Sequence, residues 1–269
     1  MSLHKTSLAV LFLLFTQLSY SQSPFGLILE NERYDTVPMA SEVPLSRGTS
    51  KSLRLWAPSP SDQGATPSCA GHAIAHALSI CFVVDAPEPT TNPHEVQQQR
   101  LSASFIYNQI KVGPGRGDGA SLLNGFRLAK AIGDCYERDF PNNTSPEVKP
   151  STEHFRSAAD FRIQSFGKLD NGNIDTMVFQ NRIKGQLEDA SPVVIGLDVP
   201  LNWKLTAATY WDQEDLAGHA MVIIGFNDLK GEFELMNSFG PDWADNGFIS
   251  LRYELVMKHL HYAYVATLR

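Results

Sequence analysis

Along this 269-residue chain the spacing of apolar positions changes character near residue 190. Before that point the pattern is helical. From Cys69 to Val84 the run CAGHAIAHALSICFVV is apolar or small on nearly every side, with Ser68 available as N-cap after Pro67 and Pro87 as a stop. It predicts a helix buried on most faces. Two further helical patterns follow at Ser102 to Val112 and Ala120 to Ile132, the second ending at Gly133 as a C-terminal cap would. Beyond residue 190 the pattern turns to strands: PVVIGLD from Pro192, HAMVIIGF from His219, EFELMN from Glu232 and GFISLR from Gly247. The terminal HLHYAYVATL alternates as a further strand, with His259 and His261 on its polar face as surface or packing residues. Helices first and strands second predict an α+β fold, a helical N-terminal lobe against a β-rich C-terminal lobe with a cleft between them.

The N-terminus carries a different signal. Lys5 precedes an apolar run, Leu8 to Phe15, that is shorter than the ~20 residues needed to span a bilayer. Ser19 and Ser21 are small residues where a signal peptidase reads, which predicts a leader over 1–21 and cleavage before Gln22. A first helix of a cytosolic domain would need a polar face, which this run lacks. Residues 22–50 mix Pro, Ser, Glu and Thr without periodicity and read as an extended lead-in to a folded domain over 51–269. No later segment reads as a membrane span, so the expectation is an exported chain, secreted or periplasmic, with no membrane association once the leader is removed.

Composition narrows the chemistry. With 43% hydrophobic and 19% charged residues and a formal charge of −7, the chain can bury a sizeable core, but its acidity argues against nucleic acid as a partner. Three cysteines are too few for a disulfide scaffold or a zinc ribbon. Cys69, His72 and His76 could share a helix face, but no fourth ligand has matching spacing and HAIAH lacks the glutamate of a zinc peptidase motif, so no metal is expected and both histidines read as core residues. Gly113, Gly115, Gly117 and Gly119 form a glycine-rich stretch with neither a preceding strand nor a Gly-Lys-Ser/Thr ending, so it is no phosphate cradle. No cofactor is implied. Asn142 and Asn143 lie in overlapping glycosylation sequons, meaningful only in a host that glycosylates.

Cys69 falls in the first turn of the buried helix, where free N–H groups and the helix dipole favour a thiolate. Downstream stand His219, heading a strand, and Asn237, ending the next; pairing of those strands as a hairpin would join the two side chains. In such a set imidazole takes the thiol proton, and an amide oxygen fixes the ring's tautomer and orientation. Gln63, shortly before Cys69, offers a side-chain NH₂ that could act with the Cys69 N–H as an oxyanion hole.

Taken together and in this order, DQGATPSCAGHA, GHAMVIIGF and NSFGPDWADNGFISL resemble the papain-like cysteine peptidases; LSASFIYNQ, GDGASL and GDCYERDFP resemble the stretches between. The resemblance runs from about Leu53 to the C-terminus. It implies the two-lobed fold, hydrolysis of peptide bonds through a Cys69 acyl-enzyme, a peptide or protein substrate, and substrate-binding positions at Gly119, Ala120 and Gly218. The chain departs from the family at Thr66 and Pro67 (Cys-Gly in many members), at Ala70 and Phe239 (Trp) and at Ala244 (Gly). The first change removes a usual disulfide, the others alter packing around the site, and none removes a catalytic side chain. Residues 22–50 leave no room for the long inhibitory pro-region of many members, which argues against control by such a segment in cis.

Two alternatives share the fold: an acyl-transferring ligase or transamidase, and a peptide-binding homologue with weak or absent turnover. If Cys69 stays free as nucleophile, Cys81 and Cys135 remain as one even pair that an oxidising compartment could join, against two separate buried thiols. Cleavage specificity, endo- or exopeptidase action, host and oligomeric state are not encoded legibly.

Overall fold

A computed structural model describes residues 25–40, 45–170, 172, 175–212 and 215–268. The leader over 1–21 lies outside the described residues. The described helices are α1 (Asn31–Asp35), α2 (Cys69–Val84), α3 (Pro93–Gln98), α4 (Ala103–Ile110), α5 (Leu122–Ala131), α6 (Thr152–Ala158), α7 (Thr176–Glu188), α8 (Trp203–Thr206) and α9 (Tyr253–His259). The strands are β1 (Ser50–Ser52), β2 (Ser165–Lys168), β3 (Val193–Pro200), β4 (Leu216–Asn227), β5 (Glu232–Met236), β6 (Phe248–Arg252) and β7 (Leu260–Thr267). They form one antiparallel sheet in the order β2-β7-β3-β4-β5-β6, with β1 pairing the far end of β4.

Helix α2 has the bounds its apolar run predicts and is buried along almost its whole length. Ser68 occupies its N-cap position without a capping hydrogen bond; its hydroxyl turns to the Thr66 carbonyl instead. Helices α4 and α5 pack on α2. Gly71 permits the first contact, since a Cβ there would stand 2.7 Å from the Ala103 carbonyl oxygen. Both partners are shorter than their sequence patterns suggest. Ser102 and Ser121 cap them through N–H groups of Phe105 and Asn124. Outside them, Val112 N–H bonds the Gly119 carbonyl, so the glycine-rich stretch is a turn that closes on itself and presents Gly119 and Ala120.

The C-terminal strands fall where alternation predicts, except at the last one. His259 ends α9 rather than lying in β7, and its ring packs 5.6 Å from that of Trp211. His261 is in β7 and contacts Asp198 at 2.7 Å. The correction is physical: Tyr253–His259 buries Leu255 and Val256 on one helical face, a spacing that strand alternation cannot satisfy.

The lead-in also differs from expectation. Residues 25–40 carry α1 and bury Phe25, Leu27, Tyr34 and Val37 in the main core. Buried Lys168 holds the segment through the Tyr34 and Asp35 carbonyls, and Pro38 and Ala40 pair with its backbone. Apolar side chains spaced too irregularly for a helix or strand pattern still bury when the folded body offers a groove.

The Cys81–Cys135 bridge is not formed; all three cysteines are buried free thiols. Cys135 packs into a small separate cluster with Phe105, Ile106, Phe140 and Ala158, while Cys81 belongs to α2, and burial raises both thiol pKa values.

Candidate active site

Cys69 opens α2 at one wall of the cleft, and β4 supplies His219 at the other. The pairing of β4 with β5 carries Asn237, just past the end of β5, to His219: Nε2 lies 2.7 Å from Asn237 Oδ1. The backbone settles the tautomer. Asn237 Oδ1 also accepts the Ser238 N–H at 2.7 Å, so this amide oxygen cannot be exchanged for nitrogen. His219 Nε2 must therefore be the donor, which leaves Nδ1 as the basic nitrogen. Among the described residues Nδ1 has no hydrogen-bond partner.

Gln63 is oriented by the same segment. Ser238 Oγ donates to Gln63 Oε1 at 2.7 Å, and Gln63 N–H donates to the Ser238 carbonyl at 2.9 Å. The side-chain NH₂ consequently points into the cleft. There it donates to the Phe25 carbonyl oxygen at 3.0 Å, and the Cys69 N–H reaches the same oxygen at 3.3 Å. Two donors from separate elements thus converge on one carbonyl of the chain's own N-terminal segment, the geometry an oxyanion requires.

The segment continues along the remaining positions singled out in the sequence. Ala120 N–H donates to the Gly26 carbonyl at 2.8 Å, and Ile28 N–H to the Ala120 carbonyl at 3.1 Å, a parallel bridge centred on Leu27. Gly119, at φ +124°, admits this approach, for a Cβ there would stand 2.4 Å from the Gly26 oxygen. Leu27 also lies over Gly218 and Gly196. Gly119, Ala120, Gly218, Gln63 and Cys69 are therefore brought together, and Phe25–Ile28 occupies the cleft they line. The segment there is short, and its Tyr34 and Val37 anchors are buried in the core.

Closure sets the electrostatics. Burial pushes the Cys69 thiol up to about 12, and burial lowers His219 to about 4 against the opposing Asn237 hydrogen bond. Burial thus acts against the helix N-terminus, which favours a thiolate. The His219 ring is enclosed by Phe239, stacked at 4.9 Å, by Phe25 at 5.0 Å and by Trp203 at 6.1 Å. Ala244 adopts φ +46°.

Sequence reasoning missed Phe25, Trp203, Ser61 and Ser238. Ser238 adjoins Asn237 and was within reach of motif reading; Phe25 and Trp203 carry no local signal.

The fold is that of the papain-like cysteine proteases. Among solved structures the chain is similar to xylellain, a cysteine protease from Xylella fastidiosa, with TM-score 0.71, 21% identity, and 92% of this chain and 97% of that chain covered. It is also similar to digestive procathepsin L 3 of Tenebrio molitor larval midgut, with TM-score 0.66, 18% identity and coverage of 92% and 77%. In sequence it is 25% identical over 208 residues to an uncharacterised peptidase C1-like protein of Acanthamoeba polyphaga mimivirus, spanning 72% of this chain and 64% of that relative. No protein-family model matches the chain. Among the described residues no helix is long and apolar enough to cross a membrane.

Proposed function

We propose that this chain is an exported cysteine peptidase, held in a closed form by its own residues 25–28. The observation that carries the reading is the convergence of Gln63 Nε2 and the Cys69 N–H on one carbonyl oxygen beside a His219 whose basic Nδ1 is set by Asn237. Once the segment leaves, a substrate carbonyl takes the place of that of Phe25. His219 Nδ1 accepts the Cys69 thiol proton, and the thiolate attacks the carbonyl carbon. The developing oxyanion receives the two N–H donors, the tetrahedral adduct collapses, and His219 returns the proton to the departing amine. Water, activated by the same nitrogen, then releases the acyl group. Gly119, Ala120 and Gly218 line the substrate backbone's path. The leader over 1–21 directs export, and transfer of the acyl group to an amine instead of water remains the alternative chemistry of the same intermediate.

Mass-spectrometric profiling of a peptide library tests this, with wild type compared with Cys69→Ala after limited proteolysis to open the N-terminal segment. Cleavage by wild type alone is expected. Equal product patterns from both proteins, or none from wild type under conditions that expose Cys69 to alkylation, would refute it. Added amines distinguish transfer from hydrolysis.

A further inference from the structure

His72 and His76 lie on α2 beyond Cys69, and both are 1% exposed. Ser61 stands between them: its Oγ is 2.7 Å from His72 Nδ1 and 2.8 Å from His76 Nε2, and its N–H donates to His76 Nε2 at 3.3 Å. The backbone donor requires His76 Nε2 to be unprotonated. The Ser61 hydroxyl proton must then point to His76 for that contact to be a hydrogen bond, and His72 Nδ1–H must donate to Ser61 Oγ. One arrangement of protons satisfies these three contacts, with His76 Nε2 bare and His72 Nδ1 protonated.

On its other side Ser61 enters the catalytic loops. Its carbonyl accepts the Gly240 N–H at 3.2 Å, Asp62 bridges to Phe239, and Gln63 exchanges bonds with Ser238. The loop bearing Gln63 is thus pinned between α2, which carries Cys69, and the segment carrying Asn237.

We propose that Ser61, His72 and His76 are positioning residues, a buried hydroxyl–imidazole relay that fixes the Gln63 amide relative to Cys69. The role in turnover rests on the peptidase reading above; the placement of Gln63 does not. Burial lowers His72 to about 3, with Arg100 and His219 adding to the effect and Asp62 opposing it, and burial puts His76 well below its ordinary value, with His72 and Arg100 adding to it. A proton on His76 Nε2 would confront the Ser61 N–H, so the relay works only while it is neutral.

The test uses the full chain. Ser61→Ala removes the hub, and His72→Leu and His76→Leu remove its arms. His72→Asn and His76→Gln retain a polar atom near Nδ1 and Nε2. The readouts are the NMR resonances of the Gln63 side-chain NH₂, the imidazole nitrogen shifts, and kcat and KM on peptide after the N-terminal segment is opened. Ser61→Ala and the leucine variants should shift the Gln63 resonances and lower kcat about ten- to a hundredfold with KM little changed, as small misplacements of catalytic groups do. The Asn and Gln variants should restore most of both. Folded Ser61→Ala with unmoved Gln63 resonances overturns the proposal, and so does a neutral-pH wild type with charged His72 or His76. If a leucine variant does not fold, Ser61→Ala decides. If wild type cleaves nothing, the peptidase reading falls and the Gln63 resonances alone judge the relay.

Discussion

Phe25 and Cys69 are joined by one hydrogen bond, from the Cys69 N–H to the Phe25 carbonyl oxygen at 3.3 Å. The contact places a carbonyl of the chain beside Cys69 while the Phe25 ring packs 5.0 Å from that of His219. Cys69 and His219 are both buried, and their pKa values move in the directions burial dictates.

Removing residues up to Leu29 while keeping the Tyr34 and Val37 anchors should expose Cys69. Each unit by which its thiol pKa falls raises the thiolate fraction about tenfold at neutral pH. The rate of Cys69 alkylation, followed by peptide mapping, is expected to rise by at least about that factor. An unchanged rate would show that the segment does not control access.

Replacement of Cys69, His219, Asn237 and Gln63 should separate their proposed roles. Cys69→Ala and His219→Ala are expected to abolish hydrolysis with the fold intact, and Asn237→Ala to be milder, because it orients the base without replacing it. Gln63→Ala should lower kcat on the order of a hundredfold, the usual loss of one oxyanion donor. A silent His219→Ala would refute the mechanism, and a Gln63 effect confined to KM would assign that residue to substrate binding.

Acid should destabilise the fold through its buried histidines. His72 is lowered to about 3 and His219 to about 4, and His76 is also lowered. Unfolding raises each toward 6.5, so the unfolded chain gains protons first as pH falls. The histidines' contribution to stability is full above about pH 6.5 and declines below it, with a slope approaching 1.4 kcal/mol per pH unit for each histidine that charges only on unfolding. Thermal melts from pH 7.5 to 4.5 should show a falling Tm, with a flatter curve for His76→Gln. A wild-type Tm that does not fall is the contrary result.

Asp134 works in the opposite direction. It is fully buried, accepts the Cys135 N–H at 2.8 Å, and has its second oxygen without a partner among the described residues. Burial raises its pKa well above the ordinary carboxylate value. It therefore favours the fold below about pH 4, a contribution lost as pH rises and the unfolded carboxylate ionises. Asp134→Asn should raise Tm at pH 7 and lose that advantage near pH 4. Equal Tm values for the two proteins at pH 7 would mean that Asp134 is not held protonated.

The sequence by itself determined the elements whose hydrophobic pattern is local and strong. Helix α2 is apolar all round and so must be buried wherever it lies, and β4 and β5 follow one another closely enough that their pairing was a natural consequence; with them came Cys69, His219 and Asn237. Gln63, Gly119, Ala120 and Gly218 were legible through the motif resemblance, which carries over positions that periodicity alone does not mark. Tertiary structure decided the rest. Phe25 and Leu27 have no periodicity, and only the assembled groove and the Tyr34, Val37 and Lys168 anchors make burying them favourable. The desolvation that raises the Cys69 pKa comes from burial, which a sequence does not display. The relay around Ser61 needs a loop residue to fall between two histidines of a helix. The spacing of His72 and His76 announced a shared face, but what that face meets is a distance in space, fixed only when the Gln63 loop closes over α2.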